Sequence, residues 1–239
     1  MIKRGNILSR TLHKWLGLIV GIQLLIWLAS GLYMVIVDID FIHGDPLVKN
    51  MQQTVAIPAA PLVTASTLLD KYPDAQQISL RAVTGEARYL VTTADNRYLV
   101  NPDSGAVISP LSENRIREIA KFHFNGTASI SRIELITIDP PMEIQTRRLP
   151  LWRVNFDDRF STSFYIDPIS GRLVTRRHQY WRIFDFMWML HIMDYDERTD
   201  AHSTLLNIAQ VAGLVFAITG LWLLFYSFSG RRKKRLAEE

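Results

Sequence analysis

The sequence predicts an α+β extracytoplasmic domain, built from two helix-plus-antiparallel-sheet repeats and tethered by two transmembrane α-helices. Three observations predict it. An uncharged apolar run lies near each end of the 239-residue chain, short basic tails flank both runs, and one strand–turn–strand phrase occurs twice between them.

In chain order, residues 1–14 form the first basic tail, with Lys3, Arg4, Arg10, Lys14 and no acid. From Trp15 to Val37, 23 residues carry no formal charge, and Gln23 is the one strongly polar residue among them. As a helix this run extends roughly 34 Å, enough for a hydrocarbon core of about 30 Å. Lipid offers no partners to backbone N–H and C=O groups, so a run of this length has to be helical. Ala29-Ser30-Gly31 has the small-x-small form of a signal-cleavage site, but the apolar run continues through Leu32–Val37 and an uncleaved anchor is expected. A second run, 205–228, contains Asn207, Gln210 and Thr219, and is followed by Arg231, Arg232, Lys233, Lys234 and Arg235 in the tail 229–239. Basic residues beside both runs place both chain ends in the cytoplasm and residues 38–204 outside it. Trp15, Tyr33, Trp222 and Tyr226 fall where amphipathic rings anchor at headgroups. Gly17-xxx-Gly21 and Ala209-xxx-Gly213-xxx-Ala217 put small residues on one face of each helix, which suits close helix approach within the chain or in a homodimer.

The net charge of +4 resides in the tails, which carry +4 and +3 and leave −3 on residues 15–230. Charge so placed orients a membrane protein and meets anionic headgroups; a nucleic-acid-binding face would carry it on the folded domain. Nucleic acid is therefore not an expected partner. With no cysteine, disulfides, thiolate metal sites and cysteine nucleophiles are excluded. That composition fits an oxidising bacterial periplasm, and the inner membrane is the expected location.

The middle divides into residues 38–110 and 111–178. Arg97–Val100, Asn101-Pro102-Asp103-Ser104-Gly105 and Ala106–Ile108 read as strand, turn and strand. The phrase returns 66 residues later as Ser163–Ile166, Asp167-Pro168-Ile169-Ser170-Gly171 and Arg172–Val174. Proline presets φ and glycine supplies the positive φ that reverses the chain. Strands at 88–93 and 152–156 precede the phrases, with further strands at 78–83 and 132–138. Helices are expected over 62–72, capped by Thr64 or Ser66, and over 112–122, capped by Ser112 or Asn114. Trp152, Phe156, Phe160, Phe164 and Tyr165 alternate as a sheet core does.

The unit "LVTASTLLDKYPDAQQISL…RYLVTTADNRYLVNPDSGAVIS" resembles a PepSY domain, and "LHKWLGLIVGIQLLIWLASGLYM" with "MWMLHIMDY…LLNIAQVAGLVFAITGLWLLF" fits the membrane segments of the PepSY-associated transmembrane family. The resemblance covers nearly the whole chain. It implies tandem PepSY domains between membrane helices. Larger members have about four such helices, and some act as haem-containing siderophore reductases; this chain has two. A proposed link of PepSY domains to peptidase inhibition implies a periplasmic peptidase regulator as a further reading.

Local catalytic motifs are absent: there is no G-x-x-x-x-G-K-[ST], G-x-S-x-G, H-E-x-x-H or Rossmann glycine run. A conventional hydrolase or nucleotide enzyme is not expected. The six histidines remain. His123, between Phe122 and Phe124, reads as an ordinary domain histidine, and His178, after Arg176 and Arg177, as solvated or lipid-facing. His13 lies at the inner membrane rim; His43, His191 and His202 lie at the outer one. Haem b between helices needs neutral imidazoles, so these four are the candidate cofactor ligands, against the plainer reading that rim histidines bond headgroups or the domain base. The inner rim has no second histidine, and a haem there calls for a dimer or partner subunit. Residues 183–193 are too short to span and too apolar for open water, so 179–204 is read as interfacial. If that stretch ran helically into the second span, His191 and His202 would share a face, about 16 Å apart. Asp194, Asp196, Glu197 and Asp200 lack calcium-loop spacing and read as a solvated linker. The leading expectation is an accessory protein presenting its domain to a periplasmic or membrane partner in an iron-uptake or redox assembly. The alternative is a haem b electron-transfer subunit of a ferric or siderophore reductase.

Overall fold

The computed structural model describes residues 2–49, 54–55, 62–196, 198 and 203–238, with side chains undescribed at 2–9, 226 and 229–238. His202, Glu197 and Asp200 therefore lie outside the described residues, as do the side chains of Tyr226 and most of both basic tails. The chain forms two units, one of Met1–Asp38 with Ile183–Glu239, the other Ile39–Arg182.

The first unit pairs α1 (Ile2–Ile36) with α6 (Thr204–Glu238) and adds the end of α5 (Gln179–Ile192). Two stretches, Arg10–Ile36 and Thr204–Phe225, are long and apolar enough to cross a membrane, each with a mean hydropathy of 2.1. Leu25, Leu28, Val35, Val211 and Leu221 are exposed along them, a quantity of bare apolar surface that suits lipid and not water. The helices approach where small residues admit rings. A Cβ on Gly17 would lie 3.0 Å from the Phe216 ring, and one on Gly220 would lie 2.9 Å from His13. Gly21 and Gly213 face nothing within 4 Å, so the chain uses only part of its small-residue faces internally. α5 does not run on into α6. Met193 takes φ +54, which ends the helix, and Ser203 opens the next by accepting the Leu206 N–H at 3.2 Å. The helical continuation that would have put His191 and His202 on one face is thus ruled out: a left-handed residue cannot extend a right-handed helix.

In the second unit, α2 (Ile39–His43) precedes α3 (Ala65–Lys71) and the sheet β1 (Gln77–Val83), β2 (Glu86–Thr92), β3 (Arg97–Val100). Then come α4 (Glu113–His123) and the sheet β4 (Ile130–Ile136), β5 (Leu151–Phe156), β6 (Ser163–Ile166), β7 (Leu173–Arg177). Both sheets are antiparallel meanders in sequence order. The side chains decide the layering. α4 buries Ile116, Ile119, Ala120 and His123 at helical spacing, while Glu113–Arg117 and Arg115–Glu118 pair on its outer face. Its apolar stripe meets Leu90 and Leu99 of the first sheet and Val154, Phe156, Phe164 and Ile166 of the second, so one core joins both halves. Phe124 stacks on Phe156 at 3.9 Å, and Phe156 meets Phe164 edge-on at 5.0 Å. The opposite strand faces are buried too: Val91 and Val100 under Leu68 and Tyr72, and Leu151 and Tyr165 against Ile144. Burial of each large apolar side chain contributes about 1.5–3 kcal/mol.

The two turns close bond for bond. Asn101 Oδ1 accepts the N–H of Asp103 (2.8 Å) and Ser104 (3.2 Å), and Asp167 Oδ1 accepts those of Ile169 (2.8 Å) and Ser170 (3.3 Å). Gly105 and Gly171 both sit at φ +68. The strand expected after the first turn is reduced to a single bridge, Val107 to Val100. Ser109 Oγ takes the Leu99 N–H at 3.0 Å, which removes the next ladder position, and Pro110 has no N–H to continue it. Phe160 lies in the loop after β5, packing edge-on to Phe41 at 5.8 Å, not in a sheet face.

Candidate functional site

Of the four histidines singled out as ligands, two meet a hydroxyl of the apolar helix pair, His13 from within α1 and His191 from α5. His13 projects from α1 towards α6, where its ring stacks on Phe216 at 4.3 Å and 6° and its Nδ1 lies 3.1 Å from Thr219 Oγ1. His191, at the end of α5, places Nδ1 3.0 Å from Ser30 Oγ, and its main-chain carbonyl accepts the Trp27 indole N–H at 2.9 Å. The two hydroxyls are similarly committed. Ser30 donates to Ile26 O at 2.8 Å and Thr219 to Phe216 O at 2.9 Å, each inside its own helix. With those protons given to main-chain carbonyls, each hydroxyl oxygen is placed to accept from an imidazole Nδ1–H, an arrangement that leaves Nε2 on the far side of each ring. Neither Nε2 has a hydrogen bond among the described residues. Their α1 contact points, residues 13 and 30, are 17 residues apart, about 26 Å along the helix. The two imidazoles are therefore separate sites.

His43 ends α2 and is exposed; its carbonyl accepts from Arg176 Nε at 2.9 Å, and its ring has no hydrogen bond among the described residues. His178 is the correction. Two neighbouring arginines suggest a solvated ring, yet it is completely buried. Its Nε2–H points at Phe41 O (2.9 Å) and Ile42 O (3.1 Å), and the rings of Phe41, Phe160 and Tyr180 surround it. Burial pushes its pKa below the ordinary value, the main-chain acceptors only partly offsetting this. His123 is also buried with its pKa pushed down, and it donates from Nδ1 to Lys49 O at 3.3 Å. In the acidic stretch, Asp194 accepts from Asp196 N at 3.3 Å, and Asp185 pairs with Arg198. Among the described residues no three His, Cys, Asp or Glu side chains converge as a metal would need.

Sequence reasoning missed two constellations. Ser30 and Thr219 were legible only as a small residue and an isolated polar one, since their imidazole partners lie 161 and 206 positions away. The second is a buried ionic knot. Glu143 accepts from Tyr165 O–H and from Arg182 Nε (2.7 Å), and Arg153 stands 3.8 Å off. Burial favours the neutral acid, but the Arg182 and Tyr165 hydrogen bonds outweigh it and hold the carboxyl below its usual range. Burial, reinforced by the hydrogen bond and charge of Glu143, pushes the Tyr165 phenol far up. This knot ties the 142–144 turn to β6 and the start of α5, a structural role.

Residues 10–238 match the family described as PepSY-associated TM region. The chain belongs to that family. Neither a curated protein nor a solved structure matches it. For this PepSY-associated chain, the family match and the two candidate spans agree on a membrane protein. His13, Ser30 and Thr219 all fall within those spans, whereas His191 reaches Ser30 from α5, outside them.

Proposed function

We propose that this protein is a two-pass subunit of the bacterial inner membrane, both ends cytoplasmic, that holds its 39–182 domain in the periplasm for a partner in an iron-uptake or redox assembly. The observation that carries this reading is the basic tail beside each apolar span, which orients the chain. The domain has a core of its own, so it can be offered as a rigid surface.

A second reading is favoured by the two imidazole–hydroxyl pairs, which orient each ring through Nδ1 and leave Nε2 without a hydrogen bond among the described residues: a haem b electron-transfer subunit. A haem ligand needs a neutral imidazole with a free nitrogen, oriented through a hydrogen bond at the other. His13 and His191 both meet that requirement, so the residues fit. Bound haem would supply one-electron transfer. His13 and His191 would each hold the group through Nε2, Thr219 and Ser30 fixing the ring and its tautomer. A second copy of the chain is the natural source of an opposing ligand, and Gly21 and Gly213 leave helix surface open for it. His43 and His202 remain alternative ligands of the outer side. Peptidase regulation has no residue here to carry it.

One experiment separates the readings: absorption spectra of the detergent-purified full chain, expressed with haem supplied, before and after dithionite. A Soret band that is lost in His13→Ala and His191→Ala establishes the haem subunit. A featureless spectrum from folded protein leaves the tethered accessory domain.

A further inference from the structure

Residues 39–182 contain 14 arginines, and almost all are engaged. Nine form ion pairs, hydrogen bonds or ring contacts within β-strands and helices of this unit, and Arg81 and Arg159 also have partners, Ser79 Oγ and the Phe160 ring. Among the described residues, the guanidinium groups of Arg147, Arg148 and Arg172 have none. All three line one cavity of about 420 Å³, together with Arg97. The four come from three places: Arg97 from the start of β3, Arg147 and Arg148 from the loop before β5, and Arg172 from the turn before β7.

The cavity contains one acid, Asp167, and its carboxylate is already engaged. Oδ1 accepts the two turn N–H groups, and Oδ2 pairs with Arg97 at 2.9 Å. The lining thus carries a charge excess of three guanidinium groups, within a unit whose 17 basic residues otherwise balance its 15 acidic ones closely. Like charges converging on one space repel, and water-filled concavity raises the field inside it. Arginine's planar fork matches carboxylate and phosphate oxygens in pairs. The volume is that of a small-molecule site.

We propose that this cavity binds a small multivalent anion bearing closely spaced carboxylates or phosphates, held by Arg147, Arg148 and Arg172, with Arg97 shared between the ligand and Asp167. The site is independent of the histidine pairs.

The test is calorimetric titration of the full chain in neutral detergent at low ionic strength, with citrate, inorganic pyrophosphate and, as a monovalent control, acetate. Saturable binding is expected for citrate or pyrophosphate, at least tenfold tighter than for acetate; whichever binds tighter identifies the carboxylate or the phosphate source. The double variant Arg147→Gln/Arg148→Gln should weaken binding tenfold or more, and Arg172→Gln should also weaken it. Arg159→Gln, outside the cavity, should not. Arg147, Arg148 and Arg172 are exposed, so the variants should keep the wild-type unfolding midpoint without anion. Absence of saturable binding by both anions, or equal weakening by Arg159→Gln, would overturn the assignment.

Discussion

The turns at 101–105 and 167–171 share their hydrogen bonds one for one and differ in what surrounds them. Gly105 is on the surface side of the first sheet, where an added Cβ would meet only Val63, at 3.7 Å. Gly171 is buried in the joint core, where a Cβ would meet Ile119, Leu111 and Val83, each at 3.1 Å. Those three belong to α4, the segment before it, and the end of β1. The second turn therefore closes its own hairpin and also packs against the first half of the domain. A repeated local sequence sets the backbone twice, but tertiary packing gives only one copy the task of joining the halves.

Alanine at the two glycines breaks or upholds this comparison with the largest expected effect. A side chain at positive φ costs about 1–2 kcal/mol, the whole expected penalty for Gly105→Ala. Gly171→Ala adds overpacking of about 1–3 kcal/mol and should cost about 2–5 kcal/mol in all. Thermal unfolding of the detergent-solubilised full chain, followed by tryptophan fluorescence, measures both. Equal shifts in midpoint would show that the joint core does not constrain the second turn.

The turns also show how much was readable from sequence. The spacing of Pro and Gly between apolar strands gave β3 and β6 to the residue, and the i, i+3, i+4 pattern of Ile116, Ile119 and Ala120 gave α4 within one position. What sequence could not give was partnership. His178 follows two arginines and looks solvated, yet the carbonyls of α2, more than 130 residues earlier, bury it. Ser30 resembles part of a cleavage site until His191 is set against it. Arg147, Arg148 and Arg172 differ from the other arginines of the domain in that their guanidinium groups have no partner among the described residues, a property of the fold and not of the residues.

A second contrast is protonic. The second half carries the buried titratable groups His123, His178, Asp167 and Tyr165, whereas among the described residues of the first half the buried group of this kind is the Tyr72 hydroxyl. Burial lowers the pKa of both histidines in the fold, while the unfolded chain takes up protons at the ordinary value of 6.5. Their contribution is complete above that pH and is lost as pH falls below it, at up to about 1.4 kcal/mol per pH unit for each ring. Unfolding midpoints recorded from pH 7.5 to 5.5 should decline accordingly, and His178→Gln should flatten the slope. An unchanged slope in that variant would mean that the fold does not lower the pKa of His178.

The smallest expected effect tests what the carboxylate of the second turn adds to the amide of the first. Asn101 and Asp167 accept the same two turn N–H groups through Oδ1, so exchanging one residue type for the other preserves the turn. Only Asp167 also holds Arg97, through Oδ2 at 2.9 Å. Arg97 is nearly half exposed, at 46%, so solvent screens the pair and its worth is about 0.5–1 kcal/mol. Asp167→Asn should therefore lower the midpoint slightly, and Asn101→Asp should leave it within about 0.5 kcal/mol of wild type. A double-mutant cycle with Arg97→Gln isolates the pair: the loss in Asp167→Asn should vanish when Arg97 is already absent. Were it to persist, the carboxylate would be strengthening the turn N–H bonds themselves, and the two turns would differ in strength as well as in surroundings.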